Sequence, residues 1–122
     1  LSPITLDKNI IEFCKKNNVI VIPAAMTPSE IYKMFELGAD IVKVFPASIV
    51  GPKFFKAVQA PLGKLNLMAV GGIDINNAKD FLDNGSSYLG VGSGMFNPKD
   101  IVNKNVTRLT KSVIKFIESL ED

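Results

Sequence analysis

The chain has 122 residues, of which 47% are hydrophobic, with a formal net charge of +2 and a single cysteine. That is enough apolar material to bury a single-domain core. The near-neutral charge, with lysines spread along the chain and no basic block, argues against nucleic-acid binding. No apolar run is long enough to cross a membrane, and a lone cysteine fits a reducing compartment such as the cytoplasm. There is no histidine. The usual general base, the Ser–His and Cys–His pairs and the commonest zinc ligand are therefore missing, so no metal or cofactor site is expected. Chemistry here must rest on lysine, carboxylates, hydroxyls or backbone.

Leu1 to Thr5 read as the tail of a strand running into a loop, with Thr5 capping a helix from about Leu6 to Lys16 that Asn17-Asn18 closes. Cys14 falls within this helix as a buried, inert thiol. Val19 to Pro23 form an uninterrupted apolar run, the pattern of a parallel strand covered on both faces. Thr27-Pro28-Ser29-Glu30 then offers an N-cap threonine, a proline at the first helical position and a capping-box glutamate, and Gly38 ends that helix.

Ile41 to Phe45 is the next strand, and alternation puts Ile41, Lys43 and Phe45 on one face and Val42 and Val44 on the other. A lysine in the middle of an apolar strand needs an account. It can be a solvent-facing charge on an edge strand, which discourages aggregation. It can also be an amine in a dry pocket, where lost solvation favours the neutral form that attacks a carbonyl to make a Schiff base.

Gly51-Pro52 opens a helix to about Gln59 that Pro61 and Gly63 terminate. Leu65 to Val70 is a further strand, running into Gly71-Gly72. Asp74 caps a helix closed by Asn84-Gly85. Tyr88 to Val91 is the last strand, followed by Gly92-Ser93-Gly94. Asn97-Pro98 starts a final amphipathic helix whose buried side should be Ile101, Val102, Leu109, Val113, Ile114, Phe116, Ile117 and Leu120.

Strands and helices thus alternate at a spacing of roughly 22 to 25 residues, the length of a βα unit. The pattern predicts one parallel α/β domain with no internal linker. Four strands and a strand tail are too few for a closed (β/α)8 barrel, which takes at least about 200 residues. The expectation is that residues 1–122 are the C-terminal portion of a single (β/α)8 TIM-barrel domain.

Parallel α/β folds place their sites at the carboxyl ends of strands. Two glycine-rich loops follow the last two strands, where barrels commonly hold phosphate on backbone N–H groups. A plain turn explains either loop equally well, and Ser93 is either a further donor or a turn serine. With predicted neighbours on both sides of its strand, Lys43 points into the barrel or towards the helices. An amine close to a phosphate site suggests a phosphorylated keto substrate. Every carboxylate falls on a helix or a cap, so the proton shuttle that a Schiff-base lyase needs must come from outside this sequence.

The pieces Ser2-Pro3, Thr5, Pro23, Thr27-Pro28-Ser29-Glu30, Gly38-Ala39-Asp40, Lys43-Val44-Phe45-Pro46-Ala47, Gly71-Gly72-Ile73 and Gly92-Ser93 run in one order over essentially the whole chain. In these the sequence resembles the 2-keto-3-deoxy-6-phosphogluconate / 4-hydroxy-2-oxoglutarate aldolases, class I enzymes with a (β/α)8 fold. The resemblance implies that Lys43 is the Schiff-base lysine, that Thr5 helps hold the keto-acid carboxylate, and that Phe45 lines the pocket. It further implies that Gly71, Gly72, Gly92 and Ser93 bind the substrate phosphate, with Val70 beside them. No residue here matches the family's glutamate shuttle or its carboxylate-binding arginine. The implied reaction releases pyruvate and glyceraldehyde 3-phosphate without a cofactor, in a cytoplasmic homotrimer, with neither nucleic acid nor membrane as partner.

Some positions depart from the commonest family pattern: Ile4 and Ala24 stand for glycines, Ser48 for a glutamate, and Ala69-Val70 for Pro-Thr. Val70-Gly71-Gly72 with Gly51-Pro52 looks like the branch acting on the galactonate epimer, 2-keto-3-deoxy-6-phosphogalactonate. Two other classes share such glycine loops, an isomerase or synthase of the phosphate-binding barrels and a non-catalytic phosphate-binding barrel. Neither needs Lys43.

Overall fold

The structure is a computed structural model and describes residues 1–121. Its elements in chain order are α1 (Lys8–Lys16), β1 (Ala24–Ala25), α2 (Pro28–Glu36), β2 (Val42–Val44), α3 (Ala47–Val50), α4 (Lys53–Leu62), β3 (Leu67–Val70), α5 (Ala78–Asp83), β4 (Tyr88–Gly90), α6 (Pro98–Val102) and α7 (Val106–Glu118). No helix among the described residues is long and apolar enough to cross a membrane.

The four strands are parallel and lie side by side in sequence order, with Ala24 opposite Lys43, Lys43 opposite Met68 and Met68 opposite Tyr88. Right-handed crossovers that always step the same way leave every helix on one side of the sheet. Burial follows that rule. Val42, Val44, Leu67 and Ala69 are fully buried in one core with Ile11, Ile31, Met34, Phe55, Val58 and Phe81 from the helices. Phe55 and Phe81 meet edge to face at 5.6 Å, a geometry that adds to the stabilisation from area burial. On the opposite side Ile41, Lys43, Phe45, Met68 and Val70 are only half-buried, and Tyr88 is exposed. A doubly wound sheet would be covered on both faces. One-sided winding in sequence order is the layout of a section of a (β/α)8 barrel, with the half-buried side facing the barrel interior.

Several local expectations give way to the three-dimensional arrangement. Asp7, not Thr5, caps the first helix, its Oδ1 accepting from Asn9 N at 2.9 Å and Ile10 N at 3.4 Å. Val19 to Pro23 is extended but lies outside the regular ladder, which is limited to Ala24–Ala25. Its carbonyls still meet β2, Pro23 O accepting from Lys43 N at 2.8 Å, while its N–H groups go elsewhere: Ile22 N donates to Leu1 O at 2.8 Å and Val21 N to the Asp40 carboxylate at 2.9 Å, and in β1 Ala24 N donates to Pro3 O at 3.0 Å. Residues 1–3 therefore do run beside β1 as a strand tail would. Helix α4 continues through Pro61, which removes one bond from the last turn, and ends at Gly63 with φ +81. A short helix, α3, precedes it. Asp74 does not cap α5; it closes a turn by accepting from Asn76 N, and the helix starts later, after Asn77.

The C-terminal segment is two helices. Lys104 takes φ +51 and the Asn105 side chain accepts from Arg108 N at 3.1 Å, which starts α7 afresh. Of the expected buried side, Phe116 is buried and Leu109, Val113 and Leu120 are half-buried. Ile101, Val102, Ile114 and Ile117 are exposed. Helix α7 leans on the edge of the sheet, against Leu82, Tyr88, Leu89 and Val91. Only part of its apolar stripe finds a partner there. The capping box at Thr27 and Glu30, the turn at Gly38 with φ +96, and the burial of Cys14 agree with expectation.

Asp40 ties α1 to the start of β2. Its carboxylate accepts from Val21 N at 2.9 Å and from Lys15 Nζ at 3.2 Å. The Val21 N–H, and after it Lys15, hold the Asp40 carboxyl below its ordinary value against the opposing effect of burial. A carboxyl depressed on folding contributes stability that is present above its unfolded value and lost as pH falls through the folded one. We predict that Asp40→Ala, a half-exposed site, lowers stability by about 1 kcal/mol at pH 7. In denaturant titrations the gap between variant and parent should hold down to the usual carboxylate range and close below it; a gap that persists unchanged below that range refutes the assignment.

Candidate active site at the carboxyl end of the sheet

Lys43 sits in the middle of β2, with β1 on one side and β3 on the other. It is therefore not on an edge, and the anti-aggregation account of its charge does not apply. Val42 and Val44 are drawn into the core, which turns Lys43 to the half-buried face. Its Nζ lies 3.5 Å from Ser2 O, at the limit of a hydrogen bond, and 5.9 Å from the centroid of the Phe45 ring. The amine thus stands over the same side of the sheet as Phe45, one turn of the pleat short of the strand's carboxyl end.

Phe45 is where the neighbouring features meet. It lines a cleft of about 240 Å³ with Thr5, Ala24, Ala25, Met26 and Glu30. Because Asp7 takes over the helix cap, the Thr5 hydroxyl is left exposed in that loop, next to Ile4 and Leu6. Glu30 was expected to serve only as a helix cap, with no carboxylate near the site, and its presence in this cleft corrects that expectation. Its Oε2 accepts from Met26 N at 2.9 Å, Thr27 N at 2.8 Å and Thr27 Oγ1 at 2.9 Å. The Met26 and Thr27 N–H groups, with the Thr27 hydroxyl, push the Glu30 carboxyl below its ordinary value. A carboxylate so held is a weaker proton acceptor than a free one.

On its other side the Phe45 ring lies against Gly71, where a Cβ would fall 3.1 Å from two ring carbons and 3.3 Å from Pro46 Cα. The Phe45–Pro46 peptide is cis. Gly71 and Gly72 both take positive φ, +95 and +75, which side chains rarely tolerate. Asn77 fixes this loop: its Nδ2 donates to Gly72 O at 2.8 Å and its Oδ1 accepts from Asp74 N at 2.9 Å. The second glycine loop comes up against the first at Gly94, whose added Cβ would collide with Ile73 O and meet Asp74. Gly92 and Ser93 are exposed there. Among the described residues the N–H groups of Gly71, Gly72, Gly92 and Ser93 have no hydrogen-bond acceptor. That is the arrangement a bound oxyanion would use. Val70 projects from the interior face beside Gly90, where its Cγ2 would lie 2.7 Å from an added Cβ.

The structure therefore brings Lys43, Thr5 and Gly71 about the Phe45 ring, with Gly72 next to Ser48, and brings Gly92 and Ser93 near them only through the contact of the two loops; Lys43 does not line the cleft that Phe45 shares with Thr5. Sequence reasoning missed Asn77 as the brace of the glycine loop and Glu30 as a wall of the cleft. An Asn five residues after a Gly-Gly pair was the available sign of the first; nothing in the chain order marked the second.

A family model described as "Aldolase: KDPG and KHG aldolase" matches residues 1–112. The 2-dehydro-3-deoxy-phosphogluconate aldolase of Haemophilus influenzae is 30% identical over 93% of this chain and 55% of its own length. The 2-dehydro-3-deoxy-6-phosphogalactonate aldolase of Escherichia coli is 29% identical over 83% of this chain and 50% of its own length. A solved structure titled "Native KDPGal structure" superposes with a TM-score of 0.83 at 25% identity, over 99% of this chain and 59% of that one. The chain spans about half the length of the curated relatives it matches.

The two loops should respond differently to substitution. Gly72→Ala adds a Cβ 2.6 Å from Ser48 Cβ at φ +75, whereas the same change at Gly92 meets nothing within 4 Å. We expect Gly72→Ala to cost about 2 kcal/mol and Gly92→Ala less than about 0.5 kcal/mol, read from chemical denaturation of the two variants. Equal losses would mean that the packing of Gly72 on Ser48 is not what restricts it.

Proposed function

The chain belongs to the KDPG and KHG aldolase family, and from that premise we propose that the protein is a class I aldolase with Lys43 as its Schiff-base nucleophile. Its substrate is 2-keto-3-deoxy-6-phosphogluconate, cleaved to pyruvate and glyceraldehyde 3-phosphate, with 4-hydroxy-2-oxoglutarate as a further substrate. Residues 1–122 are the C-terminal portion of a single (β/α)8 barrel. The observation that carries this reading is the position of Lys43: an amine on the uncovered face of a central strand, beside Phe45 and short of the carboxyl end.

The chemistry follows from that position. The neutral amine adds to the C2 carbonyl, and loss of water leaves a protonated imine. This positive centre draws the electron pair of the C3–C4 bond as the C4 hydroxyl loses its proton, releasing the aldehyde. The enamine that remains is protonated at C3, and water returns pyruvate and the free amine. Thr5 and Phe45 serve the keto-acid end, and the N–H groups of Gly71, Gly72, Gly92 and Ser93 serve the phosphate, with Val70 between. The proton acceptor is assigned to the part of the barrel that faces the open side of this sheet. Glu30 is poorly suited, since three donors occupy its Oε2 and lower its basicity.

Cleavage of the galactonate epimer is the alternative that a specific feature favours. Val70 is apolar on the interior face where a hydroxyl would otherwise meet the substrate. The resemblance also supports a homotrimer in the cytoplasm that works without a cofactor.

Full-length protein treated with borohydride and pyruvate should carry a reduced pyruvyl adduct on the peptide containing Lys43, and Lys43→Ala should lose retro-aldol turnover by at least about 1,000-fold. An unmodified Lys43 peptide at saturating pyruvate, or undiminished turnover by the variant, sinks the assignment. The 122 residues alone are expected to be inactive for want of the proton shuttle.

A further inference from the structure

The turn after β2 and the loop after β3 are locked together through Ser48. Its N–H donates to Gly71 O at 3.0 Å. Its side chain lies against Gly72, so closely that a Cβ on Gly72 would sit 2.7 Å from Ser48 Oγ. An exposed serine ordinarily spends its hydroxyl on water, and its place is then of no consequence. Ser48 is exposed too, but its position is set by a main-chain bond and by contact with a glycine that can carry nothing else. Among the described residues its hydroxyl has no hydrogen-bond partner, and neither do the adjacent N–H groups of Gly71 and Gly72. The Ser48 hydroxyl therefore stands at the meeting of two loops, next to Gly72, while Gly71 lies against the Phe45 ring that the Lys43 amine also approaches.

We propose that Ser48 is a substrate-binding residue whose hydroxyl donates to an oxygen on the aldehyde-derived half of the substrate, beyond the bond that is cleaved. This rests on the aldolase reading above. In that reading the keto-acid half is taken up by Lys43, Thr5 and Phe45, so the rest of the molecule extends past Phe45 towards Gly72. It carries hydroxyls and a phosphate, and a serine O–H can donate to either. Pyruvate by itself has no such half. Ser48 therefore contributes to binding of the aldol substrates and leaves formation of the Schiff base with pyruvate unaffected.

The test uses full-length protein and Ser48→Ala, a change that fits the space and the short helix α3. Steady-state kinetics with 2-keto-3-deoxy-6-phosphogluconate and its galactonate epimer should show a fall in kcat/KM of about 10-fold, the loss of one hydrogen bond to a charged or polar substrate oxygen. Borohydride trapping of pyruvate at Lys43 should be unchanged. A fall confined to the phosphorylated substrates places the bond at the phosphate end; a fall shared with 4-hydroxy-2-oxoglutarate places it at the C4 hydroxyl, and both support the proposal. Unchanged kcat/KM for every aldol substrate overturns it, as does an equal loss in pyruvate trapping, which would mark Ser48 as a general support of the site. If the parent protein itself fails to trap pyruvate, the aldolase reading has failed, an outcome distinct from any effect of Ser48.

Discussion

Four parallel strands in sequence order impose the asymmetry on which the rest of the molecule depends. Because each crossover steps the same way, the helices among the described residues cover one face and leave the other half-buried. Val42, Val44, Leu67 and Ala69 go to the covered side and form the core, each fully buried. Lys43, Met68 and Val70 are then forced to the opposite side by the two-residue period of the strand. The lysine's orientation is a by-product of core formation, since a slip of one residue would bury the ammonium and expose both valines.

The site itself is a matter of how three turns meet. The Phe45 side chain reaches back towards the amine, sideways into the cleft with Thr5, and forward onto Gly71. The glycine loop can approach so closely because two successive residues lack side chains and adopt positive φ. Asn77 then pins the loop from the far end of its own turn. Elsewhere the polar groups at the strand ends are used for structure. Ser86 accepts from Ala69 N and donates to Tyr88 O, bridging β3 and β4. Gln59 holds the end of α4 to Leu65 and Gly85. Among the described residues the N–H groups of Gly71, Gly72, Gly92 and Ser93 are left without acceptors.

Much of this was legible in the chain before any coordinates. The capping box at Thr27 is local chemistry, four residues long, and it forms as written. Glycine turns at Gly38 and Gly63 are local too. Where a choice between neighbours was needed, local rules failed: Thr5 and Asp7 are both good caps, and the structure uses Asp7. The apolar positions on either side of Asn103 to Asn105 predict one C-terminal helix, whereas the Lys104 turn and the Asn105 cap divide it. Its exposed isoleucines show a limit of periodicity, which reports that a helix has an apolar face and is silent on whether anything is there to cover it.

Sequence by itself determined the alternation of strand and helix, the side of β2 on which Lys43 stands relative to its valines, the two glycine loops and the membership that those ordered motifs imply. Each depends on residues close together in the chain, where periodicity, capping and backbone freedom act directly. Only the tertiary structure fixed the register that sets Lys43 between Ala24 and Met68. It alone brought Glu30 into the cleft with Thr5, and Ser48 onto Gly72. Those facts depend on contacts between segments some 19 to 25 residues apart in the chain, set by register and by the direction of the crossovers, and no local preference encodes them.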